Sequence, residues 1–161
     1  MRAKIRYSYF SIILTAIVFG ALYAGCFVTI HDTRKFFLLL GIYIILLVLS
    51  LWFSPFYLKV DAGYVVMGSI IRSRKLPISE IAGIELFQPT MGAIRICGSG
   101  GFMGYWGLFR EGDVGRYQAF YGKASDCFLV SMKNGDKYVL GCENPSAIVD
   151  NIRLQMKQVI R

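Results

Sequence analysis

Histidine is nearly missing from the chain: His31 is the only one in 161 residues, and it sits in a short polar segment, His31-Asp32-Thr33-Arg34-Lys35. Neither a Ser-His nor a Cys-His pair can therefore be assembled in the carboxy-terminal two thirds, which argues against nucleophilic hydrolysis. The four cysteines, Cys26, Cys97, Cys127 and Cys142, form no C-x-x-C pair and no metal-ligand spacing, so they read as small buried hydrophobes rather than zinc ligands. A phosphate loop is missing too. The run from Gly98 to Gly104 is one residue too long for G-x-G-x-x-G, and no Lys-Ser/Thr pair follows it. No catalytic residue, metal or cofactor is expected, and nothing in the pattern points to nucleic acid.

Charge is absent over two long stretches, Tyr7 to Ile30 and Phe36 to Leu58. A bilayer core needs about 20 apolar residues in helical form, and backbone in lipid must satisfy its own hydrogen bonds. Residues 1–55 thus read as a transmembrane helical hairpin with spans of about 7–30 and 36–54. Trp52 and Phe53 mark the interface, and Pro55 disfavours helix before it. Ala24-Gly25-Cys26 has the small-small-Cys end of a lipoprotein cleavage site, but Tyr23 fits it poorly and the apolar run outlasts a signal core of about 7–15 residues. The hairpin is read as retained.

Basic residues set the orientation. Arg2, Lys4 and Arg6 precede the first span, and Lys59, Arg72, Arg74 and Lys75 follow the second, against Arg34 and Lys35 in the loop. Both termini are expected on the cytoplasmic side of the cell's inner membrane. The net charge of +8 divides evenly about residue 58, so residues 56–161 form only a mildly basic domain.

From Phe56 the texture changes to period two with turn signals, which predicts strands over Phe56 to Asp61, Tyr64 to Met67 and Ile70 to Leu76. Pro77 ends this meander, and further strands are expected over Gly83 to Gln88, Ala93 to Cys97, Arg116 to Lys123, Cys127 to Met132 and Lys137 to Cys142. Asn134-Gly135 joins the last two as a hairpin. Asn144 then reads as a cap and Pro145 as the first residue of an amphipathic helix carrying Ile148, Val149, Ile152, Met156, Val159 and Ile160 on one stripe. Between the strands, Gly98 to Phe109 breaks regular patterning, with five glycines in twelve residues.

Six to eight short strands closed by one helix describe a small bent sheet or barrel. With Leu76-Pro77-Ile78-Ser79-Glu80-Ile81 after the meander and the Gly98 to Phe109 run before the last three strands, the arrangement resembles the bacterial pleckstrin-homology-like (PH-like) domain families. The resemblance implies an α+β, mainly β fold: two near-orthogonal antiparallel sheets capped by the final helix, following a transmembrane hairpin. It also implies a binding or assembly domain at the membrane, and no activity.

Two groups of residues are candidates for that binding. Gly98, Gly101, Gly104 and Gly107 recur every third position, with Phe102, Tyr105, Trp106 and Phe109 among them. These aromatics could fill the domain's own core, insert at the bilayer interface or anchor a protein partner. Lys59, Arg72, Arg74 and Lys75 are the candidate contacts to anionic lipid, with Arg72 and Arg74 on one strand face; the resemblance implies a headgroup site of lysine and Arg-x-Arg type. The expected function is a non-enzymatic interaction or assembly module at the cytoplasmic face, its partners the bilayer itself, anionic lipid, and a protein or second copy. The alternatives are a headgroup-binding domain or a membrane enzyme using a thiol or a carboxylate such as Glu80, Glu85, Glu111 or Asp113.

Overall fold

Each charge-free run forms one helix in the computed structural model, which describes residues 2–90 and 92–159, the side chain of Val159 excepted. Helix α1 spans Tyr9–Val28 and α2 spans Thr33–Phe53. At 1.5 Å per residue each is about 30 Å long, the depth of a hydrocarbon core. Ser8 caps α1 by accepting from the Ser11 amide, and Asp32 caps α2 by accepting from the Lys35 amide. The Asp32 cap starts α2 three residues before the expected span and draws Arg34 and Lys35 into its first turn. Hardly any of either helix is covered by protein, and Tyr9, Phe10, Ile13, Ile17, Ile44 and Ile45 are exposed. Apolar helices left bare in this way suit lipid rather than the core of a water-soluble domain. They are two candidate membrane spans.

The remaining residues form two sheets and a helix. The first sheet has the order β1-β2-β3-β4, from β1 (Arg2–Lys4), β2 (Tyr57–Asp61), β3 (Tyr64–Gly68) and β4 (Ser73–Pro77). After a single 3-10 turn at Ile78–Glu80 come β5 (Ile81–Leu86), β6 (Ile94–Gly101), β7 (Gly104–Glu111), β8 (Gly115–Tyr121), β9 (Cys127–Met132) and β10 (Lys137–Gly141). They make a second sheet of order β5-β9-β10-β8-β7-β6. The closing helix α3 spans Pro145–Val159.

The meander β2-β3-β4 follows the period-two pattern, and Val60, Val65 and Leu76 stand in one buried cross-strand row. The β9–β10 hairpin turns at Asn134-Gly135, where Gly135 takes a φ of 89° and the Asn134 side chain accepts from the Asp136 amide. Helix α3 lays Ile148, Val149 and Ile152, all at 2% exposure or less, over a core that both sheets share. Val139, Leu129, Phe109 and Tyr117 build a second cluster on the opposite face of the larger sheet, covered by Phe87 and Ala93. Of the helical stripe, Ile160 and the Val159 side chain lie outside the described residues.

Four features depart from the sequence reading. The amino-terminal basic segment is also a strand: Arg2–Lys4 pairs antiparallel with Tyr57–Lys59, and Ala3 and Ile5 enter the core while Arg2 and Lys4 stay outside. Three alternating residues are too few to stand out as a pattern beside a basic flank. The Gly98 to Phe109 run is regular after all, since it lies within the antiparallel ladder of β6 and β7. One ladder is parallel, β8 with β10, because the β9–β10 hairpin folds back so that β10 lies next to β8. Asn144 sits at a φ of 57°, left-handed rather than in the extended conformation of an N-cap, and turns the chain from β10 into α3.

Candidate functional site

The glycines of the Gly-aromatic run are placed symmetrically about a turn at Phe102-Met103. In the ladder Gly98 faces Gly107 and Gly101 faces Gly104. All four have φ between 90° and 128°, a region that side chains avoid. A Cβ on Gly98 would lie 2.1 Å from the Trp106 carbonyl oxygen, and one on Gly107 would lie 2.3 Å from that of Cys97. The every-third spacing is thus the signature of a tight, strongly twisted hairpin, not of a loop.

The tip of this hairpin docks on the two apolar helices. The Ser11 hydroxyl donates to the Gly101 carbonyl and accepts from the Gly104 amide at 2.9 Å. Thr15 accepts from the Met103 amide at 2.9 Å, and Ser54, at the end of α2, donates to the Met103 carbonyl at 3.1 Å. Higher on α1, the Phe19 ring meets that of Phe102 at 5.4 Å. Ser11, Thr15 and Phe19 recur every four residues and form one stripe of α1. Buried backbone groups need hydrogen-bond partners, and these hydroxyls supply them to the hairpin tip. No candidate from the sequence included them; three hydroxyl residues at i, i+4 spacing or at the helix end were the available signal.

Beyond the tip, alternation along β7 sends the aromatics to opposite faces. Tyr105 stacks on Tyr121 at 4.9 Å, and Phe109, 4% exposed, stacks on Tyr117 at 6.1 Å; both join the second core cluster. Trp106 faces the other way and stacks on Phe53 of α2 at 5.1 Å. Its indole N–H is shielded from solvent and has no acceptor among the described residues.

The four basic candidates separate. Lys59 and Lys75 flank Val66 in one cross-strand row on the outer face of the first sheet, where Arg2 pairs alongside. Lys59 is ion-paired with Asp61 at 2.6 Å, an exposed contact of small energetic weight. Arg74 points the other way and joins the two sheets, donating to the Gln118 side-chain oxygen at 2.6 Å and to the Tyr138 hydroxyl at 2.9 Å. Burial raises the Tyr138 phenol above its ordinary range, only partly offset by the Arg74 charge. The guanidinium of Arg72 has no partner among the described residues and is exposed.

Arg72 and Arg74 line a cavity of about 690 Å³ between the end of α2 and the two sheets. Leu49, Trp52 and Phe53 form its α2 wall, and Trp106, Leu108 and Phe120 its β wall, with the paired Gly98 and Gly107 leaving the floor free of side chains. Its volume falls within the range of roughly 300 to 1,000 Å³ typical of ligand pockets.

The carboxylates lie elsewhere. Glu80, Glu85 and Asp113 are exposed. Glu111 is buried and accepts from the Thr90 amide at 2.9 Å and from the Tyr117 hydroxyl at 3.4 Å, tying the β5–β6 connection to the sheet. Burial pushes the Cys142 thiol up to about 12 and raises that of Cys127 further, so both are poor nucleophiles at neutral pH. Cys97, at the β6 edge, is exposed.

Two bent sheets sharing a core, closed by a carboxy-terminal helix and set on an apolar hairpin, define a PH-like domain with candidate membrane spans. The family model described as Bacterial PH domain matches residues 57–156. The chain belongs to that family, and β1, α1 and α2 lie outside the matched segment. Comparison with curated proteins and with solved structures gave no match.

Proposed function

We propose that the protein is a non-enzymatic interaction module, held at the cytoplasmic face of the cell membrane, that offers the free edge of its larger sheet to an extended segment of another protein or of a second copy. The observation that carries this is strand β6. It is an eight-residue edge strand with no proline and a single charge, Arg95. Ile94 and Ile96 are 67% and 47% exposed. Edge strands that stay unpaired are usually short, charged or broken by proline, whereas one of this kind suits strand addition by a partner. The Gly-aromatic hairpin supports the same role by fixing the edge beside the membrane. Its own aromatics are engaged by Phe19, Phe53, Tyr117 and Tyr121. Separation of the carboxylates and the raised thiols of Cys127 and Cys142 favour a binding role over a catalytic one.

The test is photocrosslinking in intact membranes from a photoreactive residue placed at Ile96, compared with one placed at Glu85 on the opposite edge strand. A discrete protein adduct, or a band at twice the monomer mass, is expected from position 96 and weakened by Arg95→Pro. Lipid adducts alone at position 96 would rule the edge out as the partner surface.

A further inference from the structure

The tip of the β6–β7 hairpin carries an inference that goes beyond the free edge and rests on α1 and α2 crossing the bilayer. We propose that Phe102 and Met103 are sunk among the acyl chains of the leaflet on the domain's side, which makes the hairpin a re-entrant membrane element rather than a turn in water.

Depth is set by the contacts with α1. The tip touches that helix at three levels, through Ser11, Thr15 and Phe19. At 1.5 Å per residue, Thr15 lies about 9 Å and Phe19 about 15 Å beyond the start of α1 at Tyr9. A helix of 20 residues is only just as long as a hydrocarbon core is deep, so two turns of it cannot stay outside the core to keep the tip in water. A segment packed on Thr15 and Phe19 therefore lies below the headgroups.

The turn is built as lipid would require. Four hydroxyls satisfy five of its backbone groups: Ser11 donates to the Gly101 carbonyl and accepts from the Gly104 amide, Thr15 accepts from the Met103 amide, Ser54 donates to the Met103 carbonyl, and Ser99 donates to the Phe102 carbonyl at 2.7 Å. A turn in water can leave such groups to the solvent, whereas one in lipid must find every partner within the protein.

Charge marks how far the hairpin can enter. Residues 96–109 are free of it, and the arginines that bound them, Arg95 and Arg110, are both exposed. In the ladder Arg95 faces Phe109 and Arg110 faces Ile94, one step apart. The two strands thus regain charge at the same height, where long basic side chains can hold their heads in water above an apolar segment.

The test uses the full-length chain with both of its tryptophans replaced, Trp52→Phe and Trp106→Phe. One indole is then returned by Phe102→Trp, by Ile45→Trp at a bare position of α2, or by Tyr64→Trp at the start of β3. In vesicles of phosphatidylcholine brominated along its acyl chains, the indoles at 102 and 45 are each expected to lose roughly half of their emission, since both lie at hydrocarbon depth, and the one at 64 almost none. Quenching at 45, with position 102 quenched no more than 64, would overturn the inserted hairpin and leave the two spans standing. Quenching at neither 45 nor 102 would overturn the spans and the hairpin together. A second measurement needs no substitution: phosphatidylcholine with a photoreactive diazirine in its acyl chain should label residues 96–109 of the unaltered protein as it labels α1 and α2. Labelled helices beside an unlabelled hairpin would overturn the proposal.

Discussion

Ser11, in the first turn of α1, donates its hydroxyl to the carbonyl of Gly101, 90 residues further along the chain, and is itself 1% exposed. This contact ties the orientation of the PH-like domain to the apolar helices. The two ends of the apolar hairpin are tied a second time, because β1 precedes α1, β2 follows α2, and the two strands are paired. The domain is therefore seated on the hairpin rather than tethered to it.

Removing the Ser11 hydroxyl leaves the Gly101 carbonyl and the Gly104 amide without partners in a buried setting. Ser11→Ala is expected to lower stability in detergent by about 1–3 kcal/mol, the cost of stranding a buried polar group. Hydrogen exchange at the Gly104 and Met103 amides should accelerate while that at Val130 in the core strand stays protected. Unchanged exchange at the tip would count against the latch.

Glycine 107 and glycine 63 both have positive φ, 109° and 81°, but only the first is crowded by backbone. Gly107→Ala is expected to cost on the order of 3 kcal/mol or more, combining left-handed strain with a main-chain clash. Gly63→Ala, with nothing within 4 Å of its Cβ, should cost about 1 kcal/mol. Urea midpoints of the two variants, compared in one detergent, check the order.

Ile5 lies ahead of both helices and is 7% exposed, within the same core as Ile148 and Val130. Ile5→Ala should destabilise the folded domain by about 2–4 kcal/mol. Ile12→Ala, at a bare position of α1 (54% exposed), should change it little in detergent. Equal effects would deny the amino-terminal segment its place in the sheet.

Stability should fall in alkali. Burial pushes the Cys142 thiol up to about 12 from an ordinary 9.0 and raises the Tyr117 and Tyr121 phenols above 10.0, all chiefly by desolvation. The unfolded chain loses these protons first, so native stability is undiminished below about pH 9 and declines as pH rises through the folded values. Each group contributes at most about 1.4 kcal/mol per pH unit in its window. Urea unfolding between pH 8 and 11 should show the decline, and Cys142→Ala should make it shallower without moving its onset, because Cys127 is raised from the same ordinary value.

The orientation is expected to place both termini in the cytoplasm, on the strength of Arg2, Lys4 and Arg6 before the first helix. A reporter active only in the periplasm, fused to the carboxy terminus, should be silent, while one inserted between His31 and Asp32, in the connection between the two helices, should be active. The reverse pattern would invert the protein in the membrane.

Much of this architecture was legible because it rests on local chemistry. The absence of charge over two runs of about 20 residues dictates helices suited to lipid, Asn134-Gly135 dictates a hairpin, and Ile148, Val149 and Ile152 dictate which face of α3 is buried. Lys59, Arg72, Arg74 and Lys75 were visible as a basic set, but β4 begins at Ser73, so Arg72 precedes the strand on whose face it was expected beside Arg74. The sequence could not say that Arg74 would be bound by Gln118 and Tyr138 while the Arg72 guanidinium found no partner among the described residues, since those partners of Arg74 lie 44 and 64 residues away.

Local pattern determined the elements, their turns and the buried stripe of the last helix. Only the tertiary structure decided that Arg2–Lys4 would complete a sheet, that the Gly-aromatic run would be a hairpin docked on Ser11, Thr15 and Ser54, and that Trp106 would face a cavity. The reason is physical. Periodicity reports which side of an element is apolar, whereas a hydroxyl that satisfies a carbonyl 90 residues away, or a pair of glycines that faces across a ladder, has meaning only when the chain has brought the two together.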